Sequence, residues 1–439
     1  METKANTTDK IEHVILISFD SLRSDYIAAL SDEEIPAFAL MKKEGAYFEN
    51  AIVQAPMTIP SHCSMLTGLY PANTGVRDMH HQLPSEIPSI FNFLQKAGVR
   101  TISVASTHML KSRQITGIDD HLNLSLTQFA KILKLIKGKP SFSFIHYWDT
   151  HTPYETQLPL TGFKDILLNT LRPPKIFKNL PGGERVADFL ELQRVNRIRK
   201  LLKRKNPNII EAAKKGYIKS IVTADKFLAK TYNTMKKLNL FEKTLFIIMG
   251  DHGDSFNEHS EIDRLSDLRY EHGQFLYDNI LKVPLIFYWP GLHVGNHFTQ
   301  QVELIDIVPT ILDALSVESD RKFDGISLIN AIYGKNDQKF NSYTFSEVVR
   351  ESLDLYLRCV RSAKTKLIRD EKLNQYEMYD LVNDPQEKNN IWSQDPNDEK
   401  DILLKELDRF SKIASMETEK TTDADKEKIE KALKDLGYM

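Results

Sequence analysis

Along the first three quarters of the chain, short apolar runs that stop at polar residues alternate with stretches of helical periodicity. His13–Phe19 is a continuous apolar run ending at Asp20. Ile87–Ala97 carries Ile87, Ile90, Phe91 and Leu94 at helical spacing and stops at Gly98. Arg100–Ala105 is a short β-branched run, and Ser141–Tyr147, rich in Phe, ends at Trp148-Asp149. Ala213–Leu238 has the pattern of a long amphipathic helix. Thr244–Met249 is an apolar run ending at Gly250-Asp251-His252, and Leu281–Tyr288 is one more. Apolar strands alternating with helices predict an α/β fold with a mostly parallel sheet. Ligands of such folds gather beyond the carboxyl ends of the strands. Asp20, Asp149, Asp251 and His252 each follow an apolar run there, which is the first reason to group them.

The stretch 155–215 has a different texture. It has few strand signals, a Pro-Pro pair at 173–174 and Pro-Gly-Gly at 181–183, and then a basic run, RVNRIRKLLKRK (194–205), without an acidic residue. It reads as an insertion over the α/β core. The basic run reads as a solvated face, with steering of an anionic substrate or contact with a membrane surface as the other reading. From about 330 onwards charged residues and short strands dominate, and the last forty residues look helical and polar. The expected organisation is a catalytic domain over 10–330, interrupted by the insertion, and a smaller C-terminal subdomain with a helical tail over 331–439.

Composition narrows the class. A chain of 439 residues is long enough for a large core. Lys+Arg 58 against Asp+Glu 60 gives a formal charge of −2, which disfavours a nucleic-acid binder. Two cysteines, Cys63 and Cys359, exclude a disulfide scaffold and a Cys-rich metal site, and both read as inert core residues. The polar N-terminus has no apolar signal region, and no apolar run approaches the ~20 residues of a membrane span. The expectation is a cytoplasmic protein without a membrane span, with a homo-oligomer left open.

The candidate chemistry lies around TIPSHCSMLTGLYP (58–71). Thr58 alone reads better as a helix cap than as a nucleophile. With Asp20 before it and Asp251-His252 after it, two carboxylates and an imidazole could bind a divalent metal. A metal touching the threonine oxygen would make it a nucleophile and neutralise an attacked anionic ester.

HVILISFDSLRSDYI, TIPSHCSMLTGLYPANTGV, MGDHGDSFNEH, EHGQFLYDNILKVPLIFYWPG and EMYDLVNDPQEKNNI, with VELIDIVPTIL and FDGISLINAI, resemble in their order the sulfatase family of the alkaline phosphatase superfamily. The resemblance implies an α/β sandwich, a large mixed and mostly parallel sheet between helices, with a smaller C-terminal α/β subdomain. It implies metal ligation by Asp20, Thr58, Asp251 and His252, with Thr58 as nucleophile. It places His151 and His272 beside the substrate's anionic group or leaving group. His62, His81 and His108 are further candidates for substrate binding. Sulfatases proper carry Cys-x-Pro-Ser-Arg (or Ser for Cys), whose first residue becomes formylglycine; here Thr58 and His62 replace the first and last positions, so no formylglycine is expected. A threonine before x-Pro-Ser-His is similar instead to the phosphodiesterase and phosphonate monoester hydrolase branches. The implied activity is metal-dependent hydrolysis of a small anionic ester, a phosphate or phosphonate (di)ester or a sulfate ester, with Zn, Mn, Ca or Mg as the ion. A phospho-substituent transferase and an inactive binding protein of the same fold are the alternatives.

Overall fold

The computed structural model describes residues 10–105, 114–122, 130–131, 134, 139–152, 154, 207–259, 272–290, 295–335, 337–393 and 398–414. His108, the basic run 194–205 and most of the proposed insertion lie outside these residues.

The core is an eight-stranded sheet in the order β4-β3-β5-β1-β6-β7-β2-β8. Its strands are β1 (His13–Phe19), β2 (Ala46–Ile52), β3 (Arg100–Val104), β4 (Asp120–Leu122), β5 (Ser141–Tyr147), β6 (Thr244–Gly250), β7 (Lys282–Tyr288) and β8 (Asn296–Glu303). From β4 to β6 the neighbours are parallel; β7 runs antiparallel to β6 and to β2, and β2 is parallel to β8. The central strands β1, β5 and β6 are buried along their whole length. That is why they read as unbroken apolar runs rather than as alternations.

Helices cover both faces. One face packs against α1 (Ser24–Ala29), α2 (Pro36–Glu44) and the long α6 (Pro207–Lys237), through residues such as Ile15, Ile17, Phe38, Tyr217, Ile221 and Ile248. The other packs against α3 (Thr58–Thr67), α5 (Ile90–Lys96) and α8 (Ile307–Ala314), through Leu16, Leu66, Phe91, Phe144 and Ile311. Short helices α4 (Pro71–Thr74), α7 (Asp278–Leu281) and α9 (Ile329–Ile332) fill the connections. The long helix starts at Pro207, six residues before the periodicity suggested. Residues 207–215 therefore belong to the core layer and not to an insertion: Ile209 and Ala213 are buried against the sheet side. Their signal was hidden by the lysines and polar residues that share the outer face.

A second, antiparallel sheet has the order β12-β11-β10-β9, from β9 (Thr344–Arg350), β10 (Leu355–Arg361), β11 (Thr365–Asp370) and β12 (Gln375–Asp380). The C-terminal helix α10 (Asp398–Ala414) lays Leu403, Leu407 and Phe410 on Val360, Leu367 and Met378. The two sheets are tied by buried ions: Lys366, fully buried on β11, meets Asp278 of α7 and, at 2.7 Å, Glu387. Arg361 reaches the same Asp278 at 2.9 Å. Among the described residues no helix is long and apolar enough to cross a membrane.

Candidate active site

Asp20 and Asp251 are brought together by strand register. β1 and β6 are parallel neighbours with Phe19 opposite Gly250, so the next residue of each, Asp20 and Asp251, leaves adjacent carboxyl ends at the same level. Parallel neighbours lie ~4.8 Å apart, which sets the scale of the carboxylate pair. Asp251, His252 and Asp20 offer ligand atoms that all lie within 4.8 Å of one another, and all three are buried.

The loops at these ends are tightly held. Ser21 has a left-handed backbone, φ 60°, a conformation that costs a non-glycine residue about 1–2 kcal/mol. In return its N–H donates to Asp251 Oδ1 at 2.9 Å and its hydroxyl to Asp20 Oδ1 at 3.0 Å. The Asp251-His252 pair is flanked by glycines that have no room for a side chain. A Cβ on Gly250 would stand 2.4 Å from the Leu22 carbonyl oxygen, and one on Gly253 would stand 2.0 Å from that of Asn279. Arg23 braces the surroundings, pairing with Asp25 and Glu258 and donating to the Asp254 carbonyl at 2.9 Å.

Thr58 is the first residue of α3, a helix buried along its whole length and closed by Gly68 at φ 71°. The positive end of that helix faces the cluster. Thr58 Oγ1 lies 3.1 Å from His252 Nε2. His252 Nδ1 is 2.7 Å from its neighbour's carbonyl, Gly253 O, so Nδ1–H donates there and the Nε2 lone pair points at Thr58 and the carboxylates. Rings continue outward from His252: His272 lies 4.1 Å away by centroids, His151 5.1 Å from His272, and Trp148 stacks on His151 at 4.5 Å. The three histidines that the motifs put near the substrate or the metal thus form one row. Behind them Asp254 stands 3.4 Å from His272.

Two of the expected substrate contacts are corrected. His62 is buried beneath Thr58: its Nδ1–H donates to the Thr58 carbonyl at 2.8 Å, and its Nε2 accepts from Ser18 Oγ at 2.8 Å. With both nitrogens used inside the protein, it supports the turn rather than meeting a substrate. His81 is turned back onto its own loop, with Nδ1 3.1 Å from the Gly75 carbonyl and 3.2 Å from the Arg77 N–H. Asp149, grouped with the others by its place after a strand, is exposed and belongs to neither metal-competent group.

Two residues near the site were not singled out from sequence. His146, on β5, lies opposite Ser18 of β1 and shares the face of Phe142 and Phe144; it forms a second group of potential ligands with His62 and Asp251. Its signal was a lone imidazole in an aromatic strand, one position before the end. Arg350, at the end of β9, comes from the other sheet. Its Nη1 lies 3.9 Å from Met57 Sδ and would be 3.3 Å from a Cβ on Gly273, the neighbours of Thr58 and His272. Nothing local in the sequence ties it to them.

The charge balance calls for a cation. Asp251 is held above the usual carboxylate range, by burial first and by the adjacent Asp20 second. Burial opposes a charge on His252, yet Asp251 and Asp20 outweigh it and raise its pKa. His62 and His146 are pushed down to about 3 and about 4, in each case chiefly by burial, and stay neutral imidazoles. Asp20 Oδ2 and Asp251 Oδ2 are buried and accept no hydrogen bond. Buried bare carboxylate oxygens are costly unless something positive meets them, so this donor set fits a divalent ion.

A family model named Sulfatase matches residues 12–317, a span that holds every residue of this cluster. The chain belongs to the sulfatase family. A second model, N-sulphoglucosamine sulphohydrolase, C-terminal, matches residues 267–413. Among curated relatives, the chain is 25% identical to a Delta 4,5-hexuronate-2-O-sulfatase of Bacteroides thetaiotaomicron, over 80% of this chain and 78% of that one. It is 23% identical to an arylsulfatase of Clostridium perfringens, over 90% and 94%. A protein solved in complex with D-glucosamine-2-N,6-O-disulfate shares the fold at TM-score 0.73 with 17% identity, covering 94% of this chain and all of that one. A phosphonate monoester hydrolase from Silicibacter pomeroyi aligns at TM-score 0.65 and 17% identity, covering 91% and 94%.

Proposed function

We propose that this sulfatase-family chain is a metal-dependent hydrolase of an anionic ester, with a sulfated sugar as its substrate class and Thr58 as its nucleophile. The observation that carries the reading is the contact of Thr58 Oγ1 with His252 inside the Asp20–Asp251 cluster, at the head of a buried helix. A divalent ion held by Asp20, Asp251 and His252 would lower the pKa of the Thr58 hydroxyl and draw off charge from the ester oxygens. The relatives that act on or bind sulfated sugars support the substrate class.

In this scheme the Thr58 hydroxyl would give up its proton to solvent once the ion lowers its pKa, and its Oγ then attacks the sulfur opposite the leaving alcohol. The Oγ–S bond forms as the bond from sulfur to the sugar oxygen breaks, and His272 or His151 gives that oxygen a proton. Water then attacks the same sulfur, frees Thr58 and releases sulfate. A phosphoryl substrate is the second reading. It is favoured by Thr58, since a threonine has no route to an aldehyde hydrate, and by the likeness to a phosphonate monoester hydrolase.

The test is a panel of aryl sulfate, phosphate monoester, phosphodiester and phosphonate substrates with wild type, Thr58→Ala and Thr58→Ser. We expect no turnover by Thr58→Ala and partial turnover by Thr58→Ser, which keeps the hydroxyl but frees its rotamer. A mass increment on the Thr58 peptide after acid quench would identify the covalent intermediate. Full activity of a folded Thr58→Ala would mean direct attack by water and would end the nucleophile assignment.

A further inference from the structure

We propose that Arg350 determines specificity: its guanidinium receives a second anionic group, a sulfate or a carboxylate, on the same sugar that carries the reacting ester. The inference deepens the hydrolase reading and rests on it for where the ester sits.

The other arginines of the second sheet are held by acids. Arg358 reaches Glu347 at 3.2 Å and Glu371 at 3.0 Å. Arg361 reaches Asp278 at 2.9 Å, and Arg369 reaches Glu371 at 2.9 Å and Asp408 at 2.6 Å. Arg350 differs. The carboxylate beside it is Asp78, whose Oδ1 stands 3.7 Å from Nε and already accepts the Met79 N–H at 2.6 Å. Arg350 Nε is buried without an acceptor in hydrogen-bond geometry, and Nη1 has the weak acceptor Met57 Sδ at 3.9 Å. A guanidinium offers five N–H donors, and donors buried in a fold are normally satisfied. An acceptor that arrives with the substrate would satisfy these. The side chain is 24% exposed, which leaves it an approach from solvent.

Its place decides which anion it meets. Arg350 closes β9 opposite Leu355, on the face of the second sheet that packs against the catalytic core through Val348, Leu355 and Leu357. Gly273, at φ +89°, makes room for the guanidinium: a Cβ there would stand 3.3 Å from Nη1 and 2.9 Å from Met57 Cγ. Met57 precedes Thr58 and Gly273 follows His272, so the charge borders both the nucleophile and the proton donor of the proposed reaction. The oxygens of the reacting ester belong at Asp20, Asp251 and His252, and His272 lies outward of His252. A group that reaches Arg350 therefore lies past the leaving oxygen, on the sugar. Sulfate and carboxylate each present two oxygens that match the guanidinium fork, where a lysine would offer a point charge.

The test uses sugars matched on one ring. The mono-O-sulfates of glucose are compared with its di-O-sulfates, which add a second sulfate, and with the same sulfates of glucuronic acid, which add a carboxylate. Sulfate release is followed with the wild-type chain, and binding by calorimetry with Thr58→Ala, which leaves the ester intact. We expect at least one doubly anionic sugar to have KM and Kd at least tenfold below those of its monosulfate, the worth of a charge-assisted hydrogen bond. The series that shows this separates sulfate from carboxylate. Arg350→Ala, checked for fold by circular dichroism, should raise KM and Kd tenfold or more for that sugar and less than threefold for the monosulfate, with kcat within threefold. Arg350→Lys should restore part of the preference. A wild type without preference in either series, or equal losses by Arg350→Ala on both members of a pair, overturns the inference and leaves the hydrolase standing. A binding preference that depends on Arg350, without turnover of any ester, keeps the anion contact and ends the hydrolase reading. Binding of none of the sugars overturns both.

Discussion

Gly253→Ala tests whether the loop after β6 positions the site. The added Cβ would start 2.0 Å from the Asn279 carbonyl oxygen, where real side chains keep 3.0 Å or more, so the loop must retreat by at least 1 Å. Neither side yields easily. The Gly253 N–H donates to the Ile280 carbonyl at 2.7 Å, and Asn279 is part of α7. Metal ligands tolerate displacements of only about 0.2 Å, and a misplacement near 1 Å costs about a hundredfold in rate, or ~2.7 kcal/mol. Overpacking adds about 1–3 kcal/mol of lost stability. We expect kcat/KM on the best substrate of the ester panel to fall about a hundredfold, with weaker metal retention. Gly98→Ala is the control: its φ of +77° is strained, but nothing lies within 4 Å of the new Cβ, so it should lose about 1 kcal/mol of stability and keep its activity. If Gly253→Ala stays within threefold of wild type, or loses no more activity than the control, the claim that this glycine holds Asp251 and His252 in place is refuted.

Other outcomes follow from the same geometry. His272→Ala should lower kcat more for alkyl esters than for activated aryl esters, because a good leaving group needs no proton; equal losses would count against general-acid work at this end of the ring row. Arg350→Ala should raise KM for substrates with a second anionic group and leave simple aryl esters nearly unchanged, as steady-state kinetics on both would show. Lys366→Met strands the buried Asp278 and Glu387, and should cost about 3–5 kcal/mol in denaturant unfolding. Glu303 is pushed up to about 8, by burial first and Asp306 second. The folded chain then keeps a proton that the unfolded chain loses, so this group's stabilisation is full below about pH 4.5 and declines towards pH 8, by ~1.4 kcal/mol per unit. Glu303→Gln should flatten that part of the pH profile in guanidinium titrations, and an unchanged slope would show that Glu303 is ionised in the fold.

Much of the site was legible in the chain itself, and for a physical reason. Strands buried on both faces must be apolar throughout, so β1 and β6 stand out, and a carboxylate directly after each is conspicuous. The glycines around Asp251-His252 and the Thr-x-Pro-Ser-His turn are local requirements of close backbone approach and of a helix start. They are written where they act, and they carry the family resemblance.

What the linear pattern could not decide was register and reach. That Asp20 and Asp251 stand level depends on the pairing of Phe19 with Gly250. His146 looked like one more residue of an aromatic strand until parallel pairing set it beside Asp20. His62 looked open to a substrate until α3 packed it under Thr58 against Ser18. Arg350 comes from a separate sheet, more than two hundred residues from Thr58 in sequence, and Asp149 was grouped by its place after a strand but turned outward. Local sequence encodes which residues can ligate, cap or turn; only the assembled sheets determine which of them share one buried charge and which face the solvent.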